Sequence, residues 1–229
     1  MVRRIFLVCV ALSSFFVGAF TCDAAPLPCE KHGSERWSVK TSIPDGAPTI
    51  KMTLADALND SKLPPLKNVK TRDARYESSR ILDQPVKEDK LVTLSGWLYL
   101  VAFEADDCDF HIQLSPQPRT SANPPTADDN CIIVEVPAGE YATTISTQVE
   151  AVRDWVVLRL LHKKDPTIGS VHVMKSPVFV KVTGALFYDD DHVYKADHST
   201  GRGKRGMASK TLWELHPVVS IAFARKPSE

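Results

Sequence analysis

Leu91-Val92-Thr93-Leu94-Ser95-Gly96-Trp97-Leu98-Tyr99-Leu100-Val101-Ala102-Phe103 is the longest apolar-alternating run of the 229-residue chain. Such alternation marks a strand with one face buried. Two shorter runs follow, Phe110–Leu114 and Ile132–Val136, then a helical stretch, Tyr141–Leu161. Two further alternating runs close the chain, Val178–Leu186 and Leu212–Phe223. Strand, strand, strand, helix, strand, strand is the order of an OB-fold, a five-stranded Greek-key barrel with one helix between strands three and four. The chain is therefore expected to be mainly β, with the barrel over 91–229. Ile145, Val149, Val152, Val156 and Leu160 recur at helical spacing and are expected to face the barrel core, with Thr143 or Thr144 as the cap.

Residues 26–90 read as a preface with a short strand and a short helix. Arg36-Trp37-Ser38-Val39-Lys40 is expected to add an edge strand. Thr53 precedes Leu54–Leu58 as the N-cap of a short helix, with Asp56 in its first turn. Pro64-Pro65 forces extended chain, and the charged Lys67–Glu77 segment reads as a surface connector.

The start Met1-Val2-Arg3-Arg4, an apolar run from Ile5 to Phe20 and the small residues Ala24 and Ala25 make a secretory signal peptide over 1–25. The run is shorter than the roughly 20 residues of a transmembrane span, so the mature protein is expected to be secreted or periplasmic. Removing Arg3, Arg4 and Asp23 leaves 26 basic against 27 acidic residues. That balance makes a nucleic-acid partner unlikely. An unknown protein, small molecule or polymer remains, and no cofactor motif is found. Of Cys29, Cys108 and Cys131, the last two sit at opposite ends of a hairpin, about 20 Å apart at strand rise. Cys29 with Cys108 is therefore the preferred disulfide.

Several strings stand in a suggestive order: Glu35-Arg36-Trp37-Ser38-Val39-Lys40-Thr41, Asp109-Phe110-His111-Ile112-Gln113-Leu114, Ile132-Ile133-Val134-Glu135-Val136-Pro137, Val182-Thr183-Gly184 and Trp213-Glu214-Leu215-His216-Pro217-Val218. Over nearly all of the mature chain they resemble a group of small exported bacterial proteins carrying RWxVKT, DYHLxL, IxxEIP and ELHPV. The resemblance implies one unified, OB-like domain and no assigned activity. Where that group has a tight last turn, this chain inserts Asp189–Lys210.

Strand parity sharpens the site. Asp109, His111 and Gln113 oppose Phe110, Ile112 and Leu114; Glu135 opposes Val134 and Val136; Glu214 and His216 oppose Trp213 and Leu215. In the order 1-2-3-5-4, strands two, three and five are neighbours, so His111, Glu135 and His216 are expected within contact range on the outer face. Trp97 and Tyr99 join that face unless a bulge at Gly96 flips them. The first reading is a His–Glu network pinning strand five to strand three beneath the preface. The second is a binding surface, and the third a metal or catalytic site.

Asp189-Asp190-Asp191-His192, followed by His198, is a weaker candidate for a divalent cation, with Asp190 and His192 as the ligands, and reads first as a solvated charge run. Arg202, Lys204, Arg205 and Lys210 make a Gly-rich basic stretch expected to give at most a weak, salt-sensitive polyanion contact, opposed by the acidic loop stretch Glu104–Asp109. The loop Val193–Ser209 is expected to be mobile and dispensable for folding, so that deleting Ser199–Gly206 leaves the melting temperature nearly unchanged. The function expected is non-enzymatic binding or envelope interaction. Alternatives are an extracellular metal-dependent hydrolase or nuclease-like enzyme, and an oligonucleotide or oligosaccharide binder using the last loop. The DGDT segment of staphylococcal-type nucleases is not found.

Overall fold

A computed structural model describes residues 36–43, 46–47, 49–63, 65, 77–81, 84–87, 91–189, 192 and 202–226. Residues 1–25, expected from the sequence to be a signal peptide, Cys29 and Asp190 lie outside the described residues. The preface holds α1 (Trp37–Lys40), β1 (Thr49–Lys51), α2 (Leu54–Ala57) and a hairpin of β2 (Glu77–Ile81) and β3 (Gln84–Lys87). The barrel is built from β4 (Leu91–Phe103), β5 (Phe110–Ser115), β6 (Asn130–Val136), β7 (Val171–Tyr188) and β8 (Ala208–Phe223), with α3 (Ser146–Arg159) between β6 and β7.

The strands run β4-β5-β6-β8-β7, and β7 pairs back onto β4 to close a five-stranded mixed barrel. Every pairing in it is antiparallel except β6 with β8, which is parallel. This is the expected mainly β, OB-like order with one helix after the third barrel strand.

The sequence parity holds through the core. Phe110, Ile112 and Leu114 of β5, Ile132, Val134 and Val136 of β6, and Trp213 and Leu215 of β8 are buried in one cluster. The stripe Ile145, Val149, Val152, Val156 and Leu160 packs into the same cluster. Each large aliphatic side chain buried there contributes about 1.5–3 kcal/mol over its exposed state.

Three local expectations need correction. Residues 37–40 form a helical turn, not a strand, because Arg36 sits in the left-handed region at φ 66° and turns the chain; Thr41 Oγ1 then donates to the Trp37 carbonyl at 2.8 Å. The edge strand is Thr49–Lys51 instead, parallel to the start of β4. Neither Thr143 nor Thr144 caps α3: a 3-10 turn over Thr143–Ile145 leads into it, and no side-chain cap is made. The bulge of β4 lies between Leu98 and Leu100 rather than at Gly96. Gly96 serves a different end, since a Cβ there would meet Leu54 Cδ2 of α2 at 2.8 Å. Thr53 does cap α2, accepting from the Asp56 N–H at 3.0 Å.

Cys131 is buried and free, whereas Cys108 is disulfide-bonded, so these two are not partners. No helix among the described residues is long and apolar enough to cross a membrane.

Candidate binding site

The outward positions of β5, β6 and β8 are polar, yet they are not exposed. Asp109, Gln113, Glu214 and His216 are 0 % exposed, and His111 and Glu135 only 4 % and 5 %. A buried charge is tolerable only when it is paired, and the register supplies partners. His111 stands directly across from Glu135, with Nδ1 and Oε1 3.0 Å apart. His216 Nδ1 lies 3.1 Å from Glu135 Oε2 and 3.3 Å from Glu214 Oε1. His111, Glu135 and His216 thus come together as the strand parity requires.

Two segments cover this face. Arg202 inserts its guanidinium from the loop before β8, with only 7 % of the side chain exposed. Its Nη2 reaches Glu135 Oε1 at 3.2 Å, and its Nη1 reaches Asp189 Oδ2 at 3.1 Å and also Glu214 Oε2. Gly203 follows at φ 104°, a conformation that favours glycine. Lys204 then donates its backbone N–H to Gln113 Oε1 at 2.7 Å, and its Nζ pairs with Glu104 at 2.8 Å. From the other side α1 places Lys40 Nζ and Arg36 over the Phe187 ring, 5.4 and 4.7 Å from its centroid. Arg36 also donates to the Tyr188 carbonyl at 2.7 Å.

This overturns the reading of a free basic arm. Arg202 is enclosed by carboxylates, and Lys204 is held to Glu104. The Arg205 carbonyl accepts from Tyr99 Oη at 2.7 Å, while Lys210 is an exposed residue on β8. Residues 193–201 lie outside the described residues. Trp97 and Tyr99 do not join the polar cluster. Trp97 stacks edge-on against Phe179 at 5.2 Å, and Tyr99 packs with Leu100, Ala102, Cys131 and Met207. Of the other cation candidate, His192 Nδ1 pairs with Asp189 Oδ2 at 2.8 Å, and Asp190 is outside the described residues. Sequence reasoning did not join Lys40, Glu104, Asp107 or Asp189 to the His111–Glu135–His216 cluster. Glu104–Asp109 read only as an acidic loop stretch and Asp189 only as part of an acidic run, because neither segment has strand periodicity, and Lys40 lay in the stretch misread as a strand.

One pair is imperfect. His216 Nε2 approaches Asp109 Oδ2 at 3.1 Å, but off the hydrogen-bond direction. His216 Nε2 and both Asp109 carboxylate oxygens therefore have no hydrogen-bond partner. Above the cluster opens a cavity of about 290 Å³. Its wall carries Glu104, Asp106, Asp107, Glu135 and Asp189 against Lys40, Arg202 and Lys204, with His111 and His192 between them.

These environments shift titrations in opposite directions. Burial opposes the charge of His216, but Asp109, Glu135 and Glu214 outweigh it and hold the imidazole well above its usual 6.5. Burial would also raise Glu135, yet His111, His216 and Arg202 bring it well below 4.5. Asp189 is brought down to about 2 because Arg202, His192 and Lys40 overcome burial. Asp107 goes the other way, pushed up to about 7 by burial and by Asp109 and Glu135.

The pH dependence follows from these directions. Stability from Glu135 and Asp189 is complete above 4.5 and 3.8 and is lost as pH falls through their lower folded values. Stability from His216 is complete below 6.5 and is lost as pH rises through its higher folded value. The Asp107 carboxylate adds a penalty that grows between 3.8 and about 7. Urea unfolding is expected to show greater stability at about pH 5.5 than at about pH 8.5. Asp107→Asn keeps an acceptor for the Asp109 N–H, which bonds Asp107 Oδ1 at 3.1 Å. That variant is expected to stabilise the protein at the higher pH and change little near pH 4. A flat profile in both proteins would contradict this account.

Compared with known proteins, the chain matches no family model, no curated protein and no solved structure.

Proposed function

We propose that this chain is an exported, non-enzymatic binding protein that holds a small cationic ligand in the cavity above β5 and β6. The observation that carries the reading is the charge of the wall: five carboxylates face three permanent cations. A wall of one predominant sign focuses its field into a cleft and draws in ligands of the opposite sign. Two of the cations are already committed, Arg202 to Glu135, Asp189 and Glu214, and Lys204 to Glu104. Asp106 and Asp107 add carboxylates to the same wall, Asp107 only in part at neutral pH because it is pushed up to about 7. The upward shift of Asp107 means that its carboxylate is held at an electrostatic cost, which a bound ammonium group would relieve. Export rests on the charged, apolar and small-residue sequence of positions 1–25, and a secreted or periplasmic location follows from it.

Calorimetric titration tests the reading, with spermidine as the cationic probe and maltohexaose and single-stranded oligothymidine as comparators. Spermidine is expected to bind, more weakly as salt rises, and the comparators are not. Asp107→Asn and Glu104→Gln are each expected to weaken spermidine by about tenfold, the equivalent of about 1.4 kcal/mol. Tighter binding of either comparator, or spermidine binding that ignores both substitutions, would reject the cationic reading.

A further inference from the structure

Beneath the cavity, we infer that Asp109, Glu135 and His216 form a binding site for a divalent transition-metal ion of the zinc type. One carboxylate oxygen from each acid and one imidazole nitrogen all lie within 4.8 Å of one another. The separation of His216 Nε2 and Asp109 Oδ2, 3.1 Å, is close to the roughly 3.3 Å between two ligands at tetrahedral zinc distances of about 2.0–2.1 Å.

A cluster of carboxylates and imidazoles can equally be a salt-bridge network, and two features tip the balance. The first is where the network fails. Most of its polar atoms have hydrogen-bonding partners, but the fully buried Asp109 carboxylate and His216 Nε2 make no hydrogen bond and meet as an ion pair 3.1 Å apart. Unsatisfied buried polar groups are costly. These are the donor atoms that a metal ion would occupy.

The second feature is charge. Four buried carboxylates, Asp109, Glu135, Asp189 and Glu214, meet two permanent cations at the cluster, Arg202 and Lys40. Arg36 and Arg153 are buried at its margins, where they donate to the backbone carbonyls of Tyr188 and of Cys108 and Val136. A divalent ion on a neutral His216 would bring two positive charges to the two carboxylates that ligate it, Asp109 and Glu135.

The surroundings suit an ion on Nε2. His216 Nδ1–H is then directed at Glu214 Oε1, 3.3 Å away, the carboxylate–histidine arrangement that fixes tautomer and ring orientation in metal sites. Phe187 stands edge-on to the imidazole at 5.8 Å and limits its rotation. Glu135 belongs both to the cluster and to the cavity wall, so the site adjoins the cavity. A mixed oxygen and imidazole donor set favours zinc-like ions over magnesium and calcium, which take oxygen ligands. This inference goes beyond the amine reading and does not depend on it.

The test uses the full chain, stripped with chelator and titrated with zinc against a chromophoric chelator, with metal content measured after desalting. About one zinc per chain is expected, with no comparable retention of magnesium or calcium. Asp109→Asn is expected to weaken zinc by about 100-fold or more, given that even outer-shell changes cost 10–100-fold. The same substitution keeps a polar side chain of the same size beside His216 Nε2, so it is expected to fold, which circular dichroism and thermal unfolding verify. His172→Ala, at an exposed position outside the cluster, should leave binding unchanged. Cobalt(II) supplies a readout on the parent chain alone, since a four-coordinate protein site gives intense visible bands and hexaaquo-like ions do not. Far less than one zinc per chain, a weak octahedral cobalt spectrum, or unaltered zinc binding by Asp109→Asn would each overturn the site. A chain that takes zinc and ignores spermidine keeps this inference and loses the amine reading; the opposite result does the reverse.

Discussion

Arg202→Ala is expected to destabilise the protein by about 3–5 kcal/mol, the usual cost of removing one partner from a buried ion network. The substitution leaves Glu135, Asp189 and Glu214, all nearly or fully buried, without the guanidinium that touches each of them. Urea unfolding monitored by tryptophan fluorescence measures the loss directly, and Lys210→Ala, at an exposed strand position, provides a reference expected to lie within about 0.5 kcal/mol of the parent. Removing Ser199–Gly206 would take Arg202 with it, so that deletion is expected to lower the melting temperature, against the sequence expectation of little change. An Arg202→Ala protein of parental stability would mean that water enters and solvates the three carboxylates.

Gly203→Val is expected to cost nearly as much, although it removes no interaction of its own. At Gly203 a Cβ would lie 2.2 Å from the Met207 carbonyl oxygen and 3.0 Å from the Ser209 nitrogen, both backbone atoms, at a φ of 104°. No side-chain adjustment relieves that clash, so the turn must shift, and Arg202 is adjacent. The two substitutions should therefore be strongly non-additive in a double-mutant cycle, because both act by withdrawing the same guanidinium. Full additivity would show that the turn deforms without moving Arg202.

The barrel was legible in the sequence because its strands alternate cleanly. The parity of Phe110–Leu114, Ile132–Val136 and Trp213–Leu215 is a period-two property, and it also placed His111, Glu135 and His216 on one face. What parity cannot report is whether an outward face is covered. The covering residues come from elements with no period to read: a left-handed turn at Arg36 that sends Lys40 inward, and a glycine turn that sends Arg202 inward. A Gly-Arg-Gly-Lys-Arg-Gly string has the composition of a phosphate-binding loop or a solvated one. Only the tertiary position of Glu135, Asp189 and Glu214 makes its first arginine an interior residue. Tyr99 escaped for a related reason, since the bulge between Leu98 and Leu100 displaces the register by a residue that hydrophobic alternation alone does not locate.

The same turn closes over Cys131. This thiol is fully buried, free, pushed up to about 12 by burial, and packed with Tyr99, Leu100, Ala102 and Met207. In the closed state it is therefore neither ionised nor reachable. Any reagent that modifies it must wait for the 202–207 strap, anchored by Arg202 and by the Tyr99 contact with Arg205, to lift from the sheet. When reclosing outruns modification, the labelling rate reports the population of the lifted form rather than the reactivity of sulfur. Cys131 is thus a built-in clock for the strap, and it reads the opening of the charged face from the apolar side of the same turn.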